Sequence, residues 1–324
     1  MLKKNFPDLP QFLLPGYGIT YSSSGGTFVL KLLSQIPKIL RAIHRERKWL
    51  HDTQATHQFD LVISDNRYGL KIEGLKSVIL THQLQIMTGF GPGADSVMRR
   101  MHFRMLEKFD ECWVVDTQEN GGLAGALSHP RQLPANSHYI GQLSQLLAPV
   151  APEQHNNSIL ILLSGPEPMR GILEEIMLQQ AALAIDYHFH IIAGNPSGRA
   201  PAHLPAHITH TAYANTQELA GALARARLVV CRSGYSTLMD LAMFEKKALL
   251  IPTPGQSEQE YLAMHLQTRG VALSKRQGEV NLSKDIPEAL DYKGFKRNLA
   301  GTSGLMEAVI DNALQQLKVA AGRH

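Results

Sequence analysis

ARLVVCRSGYSTLMDLAMFEKKALLIPTPGQSEQEYLA, residues 226–263, decides how this chain folds. ARLVVCR is a short, nearly continuous apolar run, the pattern of a strand buried on both faces. Ser233 and Gly234 turn the chain, helical spacing follows over 235–245, KALLIPT reads as a second buried strand, and a polar segment opens a helix over 257–269. The same alternation extends outward in both directions. Upstream lie SILILLS, a helix over 167–183, YHFHIIAG, HITHTAY and a helix over 216–225, and downstream lies VALS. Strands joined by helices of this length predict a parallel, doubly wound, Rossmann-like α/β sheet.

The first half reads as a second, less regular α/β unit. FDLVISDN, KSVILTHQL and ECWVVD are strand-like, and a basic amphipathic helix covers Phe28–Leu50 with a bend expected near Pro37. HPRQLPANSHYIGQLSQLLAPVAPEQHNN lacks periodicity and is rich in Pro, Gln and Asn, as a linker would be. The boundary is placed near Ser144, dividing the chain into 1–143 and 144–324, with the last helix, GLMEAVIDNALQQLKVA, free to pack on either part.

Composition narrows the class. With 44% hydrophobic and 19% charged residues the 324-residue chain is an ordinary globular protein. No stretch approaches the roughly 18 apolar residues of a membrane-spanning helix. MLKKNFPDLPQFLL places Pro7, Asp8 and Pro10 where a signal peptide needs an unbroken apolar run, so a cytoplasmic location is expected. Cys112 and Cys231 fall inside strand-like runs and are expected as buried thiols. The net charge of +4 is concentrated in the basic helix, where Lys31, Lys38, Arg41, Arg45, Arg47 and Lys48 face Glu46. A water-facing helix packed by its apolar stripe explains this pattern, and so does attraction to anionic lipid headgroups. Nucleic acid is disfavoured, because no aromatic residues interleave with the basic ones.

In open α/β sheets ligands gather beyond the carboxyl ends of the strands. Two loops there carry chemistry. SILILLSGPEPMR ends its strand at Ser164-Gly165 and follows with Arg170; the second loop runs Arg232-Ser233-Gly234 into a helix starting at Tyr235. A glycine before a helix lets backbone N–H groups approach phosphate oxygens, which the positive helix end favours. Ser and Gly are also ordinary capping and turn residues. Thr237 and Asp240 on the following helix, with Gln256, Gln259 and Glu260 opening the next, add the groups that ribose hydroxyls and a sugar ring require.

CRSGYSTLMDLAMFEKKALLIPTPGQSEQEYLA resembles the donor-binding region of glycosyltransferase family 28. FDLVISDNRYG, ILTHQL, FDECWVVD, LAGALSHP, YIGQLS and LLSGPEP extend the likeness to a bacterial branch of that group, over nearly the whole chain. The resemblance implies the GT-B fold, two Rossmann-like domains facing a cleft, with the acceptor on the first domain and a UDP-sugar on the second. Residue by residue it puts Arg232, Ser233 and Gly234 on the diphosphate loop, Asp240 at the ribose carboxylate, Gln259 and Glu260 on the sugar, and Tyr213 and Ala214 at the uracil ring. Asp240 and Glu260 depart from the Glu and Gln usual there, which leaves the sugar open. Family members begin with a strand, a glycine-rich loop holding a His, and a helix; this sequence shows no counterpart, so its first domain is expected to be incomplete.

Transfer needs a base for the acceptor hydroxyl. With that His lacking, Asp65 and His82 are the candidates, both at strand ends, where an Asx turn with Asn66 and a loop-capping histidine are the plain alternatives. Three functions therefore stand: hexosyl transfer from a UDP-sugar to an unspecified acceptor, a lipid-linked one among the candidates, a UDP-sugar epimerase or hydrolase, and a nucleotide-sugar-binding protein without catalysis. No cofactor or metal is expected, since no Asp-x-Asp occurs and Pro205 interrupts His203, His207 and His210. Gly89-Phe90-Gly91-Pro92-Gly93 lacks dinucleotide spacing and reads as a loop.

Overall fold

The computed structural model describes residues 7–14, 28–87, 91–146, 157–297 and 304–321. The first elements are α1 (Phe28–His57), β1 (Leu61–Asp65), β2 (Lys76–Thr81), α2 (Pro92–Leu106), β3 (Glu111–Val114) and β4 (Ser137–Tyr139). The rest are β5 (Ser158–Leu162), α3 (Met169–Leu183), β6 (His188–Ile192), β7 (Ile208–Thr211), α4 (Thr216–Arg225), β8 (Leu228–Cys231), α5 (Tyr235–Met243), β9 (Lys247–Leu250), α6 (Ser257–Thr268), β10 (Leu273–Ser274), α7 (Leu282–Asp291) and α8 (Leu305–Ala321). The chain forms two compact units: Met1–Thr81, Arg100–Trp113 and Pro134–His138 make one, and His82–Arg99, Val114–Leu133 and Tyr139–His324 the other.

The first unit is built on the sheet β1-β2-β3-β4, with β1 and β2 parallel and Asp65 opposite Leu80. Against this sheet's first loop, α1 buries Glu46, which pairs with Arg67 at 2.5 Å and accepts the Gly69 N–H at 3.1 Å. A Cβ at Gly69 would lie 2.5 Å from both the Glu46 Cβ and the Ile43 carbonyl oxygen, so only glycine permits that approach. Glu46 is therefore an anchor for the loop, beyond its place among the helix's basic residues. The helix runs through Pro37 and seven residues past the expected end at Leu50.

The second unit holds six strands in the order β10-β9-β8-β5-β6-β7, every neighbouring pair parallel. The chain winds outward from β5 through β6 to β7, crosses back to β8, and winds the other way through β9 to β10. This is the double winding that the alternating pattern predicts, and its direction reverses between β5 and β8. Ile159, Ile161, Phe189, Ile191, Leu228, Val230 and Leu249 meet Leu173 and Met177 of α3 and Leu282 and Ile286 of α7 in one buried core. Each such side chain contributes about 1.5–3 kcal/mol by leaving water. Asn215 starts α4 with a reciprocal capping box to Glu218.

Two features escape the periodicity. β4 lies within the segment read as a linker; three residues suffice because the preceding Asn136 carbonyl already accepts the Cys112 N–H at 2.8 Å. α2 starts at Pro92, where a missing N–H costs a helix nothing, so the loop read over 89–93 ends at Gly91, two residues earlier than its last glycine suggests. Residues 89 and 90 lie outside the described residues. Cys112 and Cys231 are buried, and burial pushes both thiols up to about 12. Among the described residues no helix is long and apolar enough to cross a membrane.

Candidate functional site

The two loops singled out by sequence leave β5 and β8, the strands flanking the point where the winding reverses. Such a reversal splays the adjacent loops apart and opens a crevice at the carboxyl edge. On the β5 side, Ser164 and Gly165 are exposed, and Gly165 takes φ 102°, which disfavours any side chain. On the β8 side, Ser233 is fully buried and donates its hydroxyl to the Gln259 carbonyl at 2.7 Å, tying the loop to α6. Gly234 is the cap residue of α5, and a Cβ built there meets nothing within 4 Å. Its φ of −69° is open to any residue, so no backbone requirement explains the glycine. The bare backbone faces open space at a helix start, the geometry an oxyanion uses.

Arg232 does not reach that space. It is 1% exposed, and its guanidinium donates to the carbonyls of Ile251, Pro252 and Met169 at 2.9–3.1 Å and to the Gln277 side chain at 2.7 Å. The reading of Arg232 as a side chain beside the diphosphate is corrected to a buried cation beneath the loop. No carboxylate pairs with it among the described residues, Nε has no partner, and burial lowers its pKa to about 10. Arg170 is also buried, but it pairs with Glu167 and with Glu174 at 2.6 Å and donates to the Ala193 carbonyl at 3.0 Å. Its guanidinium is committed to these partners, so the reading of Arg170 as a free ligand-binding cation is a second correction.

The remaining residues frame the same loop. Asp240 accepts the Ser144 hydroxyl at 2.6 Å; burial raises its carboxyl pKa, with the Ser144 bond opposing. Thr237 is half-buried on α5. Gln259 and Glu260 bind back onto their own turn: Gln259 Oε1 accepts the Thr253 N–H at 2.9 Å, its Nε2 donates to Gln256, and Glu260 accepts the Gly255 N–H at 3.0 Å. They shape the turn after β9 in the absence of ligand. Tyr213 and Ala214 follow β7, half-buried, just before the cap of α4.

His82 stacks on Tyr235 with ring centroids 4.2 Å apart and planes 8° from parallel, and its Nε2 lies 2.8 Å from Glu258 Oε1. Tyr235, the first residue of α5, donates its hydroxyl to the Val115 carbonyl at 2.7 Å; burial and the nearby Asp116 hold the phenol well above its ordinary range. The stack thus links His82 to the glycine loop, which separation in sequence concealed. Asp65 is exposed at the end of β1 in the other unit. Glu258, Ser144 and Gln277 carried no sequence signal beyond polarity; each matters through a partner far along the chain. Among the described residues no group of three His, Cys, Asp or Glu side chains could hold a metal ion. His210 pairs with Glu174 and His207 with the Ala181 carbonyl, each alone.

Residues 169–302 match the glycosyltransferase family 28 C-terminal domain, a span that takes in β6 to β10 and the Arg232–Tyr235 loop, while Ser164 and Gly165 precede it. The UDP-N-acetylglucosamine–N-acetylmuramyl-(pentapeptide) pyrophosphoryl-undecaprenol N-acetylglucosamine transferase of Methylorubrum extorquens (strain PA1) is 34% identical over 101 residues, 30% of this chain and 27% of that protein. The chain thus spans about a quarter of the length of that curated relative. Among solved structures, the glycotransferase of kitacinnamycin superposes with a TM-score of 0.60 at 12% identity, over 93% of this chain and 85% of its own. MurG of Acinetobacter baumannii superposes with a TM-score of 0.54 at 15% identity, over 87% and 79%. The fold is that of the GT-B glycosyltransferases.

Proposed function

We propose that the chain is a GT-B hexosyltransferase that needs no metal and moves a sugar from a UDP-linked donor to an acceptor hydroxyl. The observation that carries this reading is the Arg232–Tyr235 loop: an uncovered glycine at a helix start, above a buried cation that, among the described residues, no carboxylate neutralises. Together they make an electropositive seat for a diphosphate. Asp240 would accept from the ribose hydroxyls, and Gln259 and Glu260 would exchange their bonds to the turn for bonds to the sugar.

In the transfer step the acceptor oxygen forms a bond to the anomeric carbon while the bond from that carbon to the diphosphate breaks. UDP leaves with the electron pair, stabilised by the loop amides, and the acceptor proton passes to a base. His82 is the better-supported base. With Glu258 accepting its Nε2 proton, Nδ1 keeps the lone pair, the arrangement of a histidine oriented by a carboxylate. Asp65 is the alternative, exposed at a strand end and without such an orienting partner among the described residues. His82→Gln is expected to lower kcat about 10²–10⁴-fold with UDP affinity unchanged; unaltered turnover moves the role to Asp65, to be read in Asp65→Asn.

A lipid-linked acceptor, used at the cytoplasmic membrane face, fits α1, where Lys38, Arg41 and Arg45 flank Leu40, which is 60% exposed. Release of UDP from UDP-sugars, with and without polyprenyl-diphosphate acceptors, tests the proposal. Acceptor-dependent release supports transfer, whereas release or sugar conversion without acceptor assigns a hydrolase or epimerase.

A further inference from the structure

A basic cleft lies in the second unit, at the edge of the sheet opposite the glycine loop. Its cleft, about 480 Å³, is lined by Arg269, Lys293, Lys296 and Arg297 with Glu119 and Asn120. Leu266 and Arg269 also place it at the carboxyl end of α6. The amino end of that helix carries Gln256–Glu260, so the two sites are separated by the length of a 12-residue helix, about 18 Å.

The cleft holds four cations against one carboxylate in a chain whose net charge is +4. Among the described residues none of the four takes part in an ion pair. A helix terminus accounts for one of them: Arg269 donates to the Gly122 carbonyl at 2.8 Å and complements the negative end of α6. It does not account for the other three. Those stand on a pinned segment, because Lys293 N–H donates to the Gly270 carbonyl, Gly294 N–H to Val271 and Phe295 N–H to Lys246, while the Phe295 side chain is buried. Lys293, Lys296 and Arg297 themselves are exposed. The backbone pinned at 293–295 thus sets like charges side by side around a concavity, where a multiply charged anion would relieve their mutual repulsion. The Asn120 amide adds a neutral donor to the rim. With Phe295 buried, the described residues that line the cleft offer no aromatic face on which a nucleic-acid base could stack.

We propose that this cleft binds a phosphate- or diphosphate-bearing ligand at a site separate from the donor loop. The inference does not depend on the proposed transferase activity. Calorimetric titration of the full chain with inorganic pyrophosphate, with and without saturating UDP, tests it. A binding event that persists under UDP should weaken by about tenfold or more in Lys293→Gln/Lys296→Gln/Arg297→Gln, and also when salt is raised. Absence of a UDP-insensitive event, or equal affinity in the triple variant, overturns the proposal. Should the triple variant melt early, Lys296→Gln/Arg297→Gln serves, both side chains being exposed. If UDP itself fails to bind, the donor reading falls while the comparison of charge variants still decides this one. Flotation with phosphatidylglycerol against phosphatidylcholine vesicles separates the sources. Capture by the anionic vesicles that the triple variant loses assigns the phosphate to a lipid headgroup, and pyrophosphate binding without such capture assigns it to a soluble ester.

Discussion

Arg170 and Arg232 follow strands β5 and β8, neighbours in the sheet, and both side chains are buried, yet they are treated oppositely. Arg170 is met by Glu167 and Glu174, and although burial opposes its charge, the hydrogen bonds to those two carboxylates outweigh it and raise its pKa. Arg232 is met by carbonyls and an amide, and burial lowers its pKa to about 10. One cation is neutralised by the fold and the other is left for something to neutralise. A buried charge without a counter-ion costs stability and persists where a ligand supplies the missing partner.

The largest expected effect comes from removing the uncompensated arginine. Arg232→Met leaves the buried Ile251 carbonyl, the partly buried Pro252 and Met169 carbonyls and Gln277 without their donor, a loss of about 3 kcal/mol in denaturant unfolding. Arg170→Met should cost about 1–2 kcal/mol, since Glu167 is half-exposed and Glu174 keeps His210. Equal losses would erase the contrast. Next, UDP at a hundredfold its Kd should raise wild-type stability by about 2.7 kcal/mol and do the same for Arg170→Met. A shift retained in the wild type and lost in Arg170→Met would assign the anion to the wrong arginine.

A smaller effect is expected at Asp240, whose carboxyl pKa is raised by burial. Between its unfolded and folded pKa values the native state holds more protons, so stability falls as pH rises through that window, and above it the ionised carboxylate destabilises the fold. Asp240→Asn should therefore stabilise the protein at neutral pH and remove that pH dependence, while weakening UDP about tenfold through loss of a charged acceptor to the ribose. Melting curves from pH 3.5 to 7 with UDP titrations check both halves; a variant that gains stability and keeps full affinity removes Asp240 from the site.

The doubly wound sheet was legible in residues 158–274 because strands buried on both faces are continuous apolar runs, and amphipathic helices separate them. The glycine loop was legible because Arg-Ser-Gly interrupts that pattern at a strand end. The direction of the Arg232 side chain was not legible: its acceptors at 169, 251, 252 and 277 are brought together by the fold, and no local spacing encodes them. The same holds for His82, whose partners are Tyr235 and Glu258. β4 was missed because a three-residue edge strand is too short to show alternation.

Gly234→Val offers the most direct test of the diphosphate seat. The backbone there suits valine and the space around it is open, so stability should change by no more than about 0.5 kcal/mol. Titrated with UDP, the variant should bind at least about tenfold more weakly than the wild type, since its methyl groups occupy the place where phosphate oxygens would meet the amides. An unchanged melting temperature together with unchanged UDP affinity would contradict the account.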